Sequence, residues 1–455
     1  MAPVPPGRPL ACCVEVPPGL DARARYGVAA LLLGLGLEPR WVERGALVDG
    51  GLYYGTAPEE APPAAVALRL AGATAAALGA PHALDPTAVS TLHWDGKRWP
   101  LPFPTGGVFE GFSPDADVVA STFAWLSGFF EAAVGVRDIH ARIPAESTPT
   151  AALAAARPDL ADPSFHTPVE AYRGWLADAL RARGVSVPGR TWNGKQWAVV
   201  PTLDVDLVRT RRLFALLGPD PRRERLRDLF GLLDGRGANA TVFLMGGATA
   251  AYDVPYALDH PTLRPVWEAA RRGRAEVGLH PSYFAHDSSP QVDREWGRVE
   301  AAARREGTAA ASVVRTHFLR WTEPATPRTL DGAGFVIDSS LGFATRAGFR
   351  RGTALPHPVY DLAADRPLGL WTVPLAAMDT ALLVHRAAEA HLATETLDRV
   401  LAGAREGGGV AVLLWHNEAL PPPHLDLLAH ALDAAASGEA TVDTLTAALA
   451  GWKAG

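Results

Sequence analysis

From Trp197 onward, short apolar, β-branched runs alternate with longer stretches of helical periodicity. No other feature of the 455-residue chain restricts its fold as much. Residues 197–206, Ala240 to Met245, Glu276 to His280, Ser312 to His317, Phe335 to Asp338, Leu370 to Val373 and Val410 to Trp415 read as strands. Residues at about 221–235, 262–273, 290–306 and 388–405 read as helices. A strand that returns to the same sheet through a helix pairs in parallel with its predecessor. The alternation therefore predicts a (β/α) barrel or an open α/β sheet.

The first 190 residues lack this regularity and read as a smaller mixed α/β domain. Trp94 to Trp99 carries Asp95-Gly96, the chemistry of a tight hairpin, and Thr191 to Trp197 repeats it with Asn193-Gly194. An aromatic helix is expected over Ser121 to Val134, an exposed excursion over residues 144–168, and a helix over Val169 to Arg183. Pro188-Gly189 breaks the chain, giving domains 1–190 and 191–455.

With 48% hydrophobic and 20% charged residues, the chain can build substantial cores. A net charge of −6 argues against nucleic acid as a partner. Cys12 and Cys13, adjacent in sequence, cannot staple distant segments. Val28 to Leu37 is too short to span a bilayer. Met1 to Pro9 has no apolar core behind a basic start, so a cytoplasmic location is expected.

The chemistry collects where these strands end. The first ends in Asp204 and Asp206, two residues apart and so on one face. Others end in His280, in Arg315 and His317, in Asp338, and in Trp415-His416-Asn417. Ligands gather at this rim in barrels and open α/β sheets. An aspartate with two histidines suits a catalytic divalent metal, with zinc the expected ion. A second carboxylate can take a proton from water and a separate histidine can protonate a leaving amine. That set fits hydrolysis of an amide or ester.

The same residues carry a resemblance. Thr202-Leu203-Asp204-Val205-Asp206, Gly278 to Tyr283, Arg315-Thr316-His317-Phe318, Asp338 to Phe343 and Leu414-Trp415-His416 resemble, in order, the five motifs of the NodB-like polysaccharide deacetylases of carbohydrate esterase family 4. The resemblance covers about residues 195–450. It implies a distorted (β/α) barrel and metal-dependent removal of acetyl groups from glycans. Asp138 to Arg142 resembles part of an uncharacterised domain that often precedes such modules. Carried onto this chain, it makes Asp204 the base, Asp206 and His280 metal ligands, Arg315 the group that orients Asp204, and His416 the general acid.

Two departures mark this sequence. Val205 separates aspartates that are adjacent in the family, and Phe284 stands where a second metal-binding histidine belongs. His317 is the expected replacement, with His286 the alternative. Substrate contacts are expected from Asp338, Trp415 and Arg350, and Trp321 and Trp371 are further candidates for stacking on sugar rings. His82, His93, His140, His166, His357 and His385 have no partner in the pattern and read as structural. The expected activity is deacetylation of an N-acetylated sugar or polysaccharide. The rivals are a non-catalytic glycan-binding scaffold on the same fold, or the same chemistry on a non-carbohydrate amide.

Overall fold

A computed structural model of the chain describes residues 5–208, 221–383, 390–417 and 422–454. The first residues of the helix expected at 388–405, and His385, lie outside these.

The N-terminal region is built on a four-stranded parallel sheet in the order Leu37–Trp41, Arg8–Glu15, Leu52–Gly55, Val66–Arg69. The Ser90–Trp94 and Lys97–Leu101 strands form the expected hairpin, with Asp95 and Gly96 both left-handed (φ 51° and 70°). The aromatic helix is shorter and earlier than expected, at Val118–Leu126. Asp117 caps it by accepting from the Ala120 N–H, and Gly128, at φ 71°, ends the helical path. The expected exposed excursion over 144–168 is instead folded. It holds the Pro149–Ala156 helix, and Thr148, Thr150, Leu153, Ser164 and Phe165 are buried. The Ala390–Gly407 helix approaches it closely at a glycine. A methyl on Gly403 would lie 2.0 Å from the Phe165 carbonyl oxygen.

From Ala198 on, the strands other than Trp452–Ala454 form one sheet, with Thr441–Val442 added beside Ala198–Val205 off the main path. Its order is His357–Asp361, Arg366–Thr372, Ile337–Asp338, Ala310–Val314, Ala275–His280, Ala240–Met245, Ala198–Val205, Val410–His416, Leu375–Met378. The first pair is antiparallel and the rest are parallel. Two of these strands, His357–Asp361 and Leu375–Met378, were not legible in the sequence. Among the described residues no ladder closes this sheet into a barrel: none joins Arg366–Thr372 to Leu375–Met378, although only Val373 and Pro374 separate them. Trp452–Ala454 pairs with Arg190–Trp192, tying the end of the described chain to the start of this region. No helix among the described residues is long and apolar enough to cross a membrane.

Strand alternation divides the core. Val200 packs with Phe243, Val313, Val412 and Leu414 in one cluster. Val199, Leu203 and Val205 belong to the other cluster, with Leu244, Leu279, Leu413 and Trp415. Asp204 shares parity with Val200, and His416 is its partner across the ladder. Both therefore project on the Val200 side, at its C-terminal end. Close approach is built in there as well. A methyl on Gly278 would come within 2.4 Å of Val313 Cγ2 and 2.5 Å of its carbonyl oxygen.

One strand stops short of expectation. The Ser312 to His317 reading overruns, because the strand ends at Val314. Arg315 and His317 lie in the following turn, so alternation along a strand does not place them.

Buried polar contacts join the two regions. Glu131 Oε1 accepts from Arg350 Nε (2.7 Å), and Glu131 Oε2 accepts from Arg351 Nη2 (3.2 Å). Glu170 Oε1 accepts from the Ala354 N–H (2.6 Å) and the Thr353 hydroxyl (2.9 Å). Burial, incompletely offset by Arg173, pushes the Glu170 carboxyl up from 4.5 to about 7. Between these values the folded protein keeps a proton that the unfolded chain releases. The associated stability is complete below about pH 4.5 and is lost as pH rises through about 7, by about 3 kcal/mol. Thermal unfolding of Glu170→Gln and wild type at pH 5 and pH 8 tests this. The wild type should lose ground relative to the variant at the higher pH, and a pH-independent difference would contradict it.

Candidate functional site

A pocket of about 410 Å³ opens at the C-terminal ends of the parallel strands, lined by Asp204, Asp206, His280, His317 and His416. Larger grooves, of about 660 and 990 Å³, lie elsewhere, but neither contains this cluster. The chemistry, not the size, marks the site.

Asp204 sits on the last full turn of alternation in its strand and is buried. Arg315 Nη1 donates to Asp204 Oδ1 (3.1 Å) and to the Thr202 hydroxyl (2.6 Å). Arg315 is itself fixed by the Ser339 carbonyl (2.8 Å) and hydroxyl (3.0 Å). Asp206 lies just past the strand, and Asn417 holds it there. The Asp206 N–H donates to Asn417 Oδ1 (3.1 Å), and Asn417 Nδ2 donates to the Leu207 carbonyl (2.7 Å).

Three imidazoles surround Asp206. His280 Nε2 is 3.2 Å from Oδ1, while His317 Nε2 and His416 Nε2 are each 4.0 Å from Oδ2. Each ring is oriented through its other nitrogen. His280 Nδ1 lies 2.5 Å from the Arg315 carbonyl, His317 Nδ1 is 2.8 Å from Asp253 Oδ1, and His416 Nδ1 is 2.7 Å from Asp379 Oδ1. Asp253 and Asp379 are ionised acceptors. Burial would raise both, but for Asp253 His317 and three backbone N–H groups, and for Asp379 His416, hold the carboxyl below its ordinary range. All three Nδ1 atoms therefore carry hydrogen, an assignment made from their partners.

That assignment tests the metal expectation. With Nδ1 protonated, a neutral His280 or His317 turns an Nε2 lone pair toward a carboxylate. Asp206 Oδ1 has no hydrogen bond of proper geometry despite its 3.2 Å neighbour. Such an arrangement needs a positive charge between the groups. A second proton on His280 meets the need: burial lowers its pKa, but Asp204 and then Asp206 outweigh that and raise it. A divalent cation meets it equally and displaces the proton. Asp206, His280 and His317 bring one ligand atom each within 4.8 Å of one another, the only such group among the described residues. Two imidazoles and a carboxylate, with the Asp253 carboxylate and the Arg315 carbonyl behind the rings, are a donor set that fits a divalent metal.

His416 differs from the other two. Burial pushes it down, but Asp379, then Asp206 and Asp204, outweigh this and raise it to about 10. It is an imidazolium near neutrality, with its Nε2 proton facing the pocket.

Several expected roles are corrected. Trp415 is 1% exposed and packs on the helix side of the sheet, its indole N–H bonded to the His424 carbonyl. Asp338 is fully buried and its carboxylate accepts from the Ser340 N–H (3.0 Å) and hydroxyl (2.5 Å). It shapes the turn that grips Arg315 and is not among the residues that line the pocket. Arg350 is spent on Glu131. Trp321 and Trp371 are buried too. Phe284 is half exposed, and His286 lies outside the Asp206 cluster, with Nδ1 3.2 Å from the Tyr283 carbonyl and Nε2 3.6 Å from Asp287.

Other residues enter that the sequence did not single out. Asp379 follows Leu375–Met378, a strand end like the others, and was missed with its strand. Asp253 lies in a loop with no periodic signal. His140, expected to be structural, lines the pocket together with Arg142, so the N-terminal region forms part of its wall. The turn after His317 is unusual as well. Phe318 and Leu319 are both left-handed (φ 59° and 54°), which costs non-glycine residues about 1–2 kcal/mol each.

The chain is similar to solved structures of polysaccharide deacetylases. A Mycobacterium smegmatis protein assigned as a polysaccharide deacetylase is 23% identical over 58% of this chain and 91% of its own, with a TM-score of 0.41. A family 4 carbohydrate esterase from Streptomyces lividans, in complex with acetate, is 15% identical over 56% and 96%, with a TM-score of 0.33. A CE4-family pseudoenzyme from Bacillus anthracis is 13% identical over 58% and 70%, with a TM-score of 0.32. No family model and no curated protein matches the chain.

Proposed function

We propose that this protein is a metal-dependent hydrolase that removes the acetyl group from an N-acetylated sugar. The observation that carries the reading is the convergence of the His280 and His317 Nε2 atoms on Asp206, each ring locked through Nδ1. The order of the motifs that resemble the NodB-like deacetylases supplies the substrate class.

Asp206, His280 and His317 would hold the ion. When bound, it would polarise the acetyl carbonyl and acidify water, to a pKa of roughly 7 at a zinc site. Asp204, held in place by Arg315, accepts the proton of the attacking water. The nucleophile adds to the acetyl carbon, and the C–N bond breaks as His416 delivers its Nε2 proton to the departing nitrogen. Asp379 keeps the His416 ring oriented and stabilises its charge throughout. Acetate and the free amine leave. His317 supports this reading against the non-catalytic scaffold, whose basis was Phe284 at a ligand position.

Acetate release from N-acetylchitooligosaccharides, assayed with and without prior chelation, tests the proposal. Release that disappears on chelation and returns with added zinc is expected. No release from N-acetylated glycans under any metal loading would sink it, and release only from a non-carbohydrate acetamide would move the substrate class.

A further inference from the structure

The turn that carries His317 is gripped from outside its own region. Two successive left-handed residues persist only where surrounding contacts over-determine them. Here Tyr252 and Tyr283 pack on the Phe318 ring, and residues 138–142 add a bond to its backbone. Arg142 Nη1 donates to the Phe318 carbonyl at 2.9 Å, across 176 positions of sequence. The His140 ring packs on the Phe318 ring with centroids 4.4 Å apart. On the far side of the turn, Arg320 Nε donates to the His140 carbonyl (3.1 Å). The gripping loop is itself preset. The Asp138 carboxylate accepts from the His140 N–H (2.8 Å), the Arg142 N–H (2.9 Å) and Arg142 Nε (2.8 Å).

We infer that the Asp138–Arg142 loop is a clamp that positions His317, so that the metal affinity of the pocket depends on the N-terminal region. The inference rests on the metal reading above. Asp253 fixes the rotation of the His317 ring, but it does not fix the backbone from which the ring projects. Arg142 and His140 do that, by holding Phe318 in a conformation it would otherwise leave. With three ligands in the group among the described residues, a displaced His317 leaves two. Arg142 is a positioning residue here: its guanidinium is engaged by Asp138 and by the Phe318 carbonyl.

Zinc affinity of the full-length protein, measured by competition with a chromophoric chelator, tests the clamp, with circular dichroism as the check on folding. Arg142→Ala should weaken zinc binding about 10- to 100-fold, the usual loss when an outer-shell partner is removed. Arg142→Lys, which keeps the charge but cannot serve Asp138 and Phe318 together, should show a smaller loss and guards against a misfolded alanine variant. Glycine adopts left-handed backbone without steric cost, so Phe318→Gly added to Arg142→Ala should recover part of the affinity. A purely structural role for Arg142 would give no such rescue. Wild-type affinity in both Arg142 variants would overturn the clamp and leave the metal site standing. A wild-type protein that binds no stoichiometric zinc would overturn both.

Discussion

Asp206→Ala is expected to abolish stoichiometric zinc binding and to cut acetate release by roughly three orders of magnitude or more. The size follows from what is lost: metal assistance is worth several kcal/mol, and each 1.36 kcal/mol or so is a factor of ten in rate. Asp206 is the one anionic member of the ligand group. Its side chain is 18% exposed and Oδ1 has no other protein bond, so its removal does not orphan a structural partner. The contacts that hold the backbone here, from the 206 N–H to Asn417 and from Asn417 to the Leu207 carbonyl, do not involve the carboxylate. The variant should therefore fold. Metal analysis after dialysis against zinc decides the matter, and a full zinc load in the variant would remove Asp206 from the site.

His416→Ala is expected to lower kcat for N-acetylated sugars about 10²- to 10⁴-fold, the ordinary contribution of a general acid, while leaving zinc affinity near wild type. The separation arises because His416 lies outside the ligand group and owes its proton to Asp379, Asp206 and Asp204. Its job is to protonate nitrogen as the C–N bond breaks. An ester with a good leaving group, such as 4-nitrophenyl acetate, needs no such proton, so its hydrolysis should fall much less. Equal losses on the amide and the activated ester would argue against the acid role. Asp204→Asn serves as the contrast, because a base that activates water is needed for both substrates and both rates should fall together.

Much of the rim was readable because strand periodicity is local. Apolar β-branched runs locate the strands, and a period of two assigns each following side chain to a face. That logic brings Asp204 and His416 to one side, where the ladder makes them register partners. Applied consistently, it also excludes Trp415, since a residue next to His416 must point the other way. Trp415 does so, into the helix-side core. Arg315 and His317 reach the site for a different reason from the one the spacing suggests. Both lie beyond the end of their strand, and a left-handed turn, not alternation, aims His317.

Residues a few positions apart set strand, helix and face through steric and hydrophobic periodicity, and that local pattern already specifies an α/β chain whose parallel strands end in carboxylates and imidazoles. Tertiary structure alone decided which of those groups meet. Asp253 reaches His317 across 64 positions, Asp379 reaches His416 across 37, and Arg142 reaches Phe318 across 176. It also decided the order in which the strands pair and that the first region walls the pocket. These outcomes depend on register and on packing between distant segments, and no local pattern of side chains carries that information.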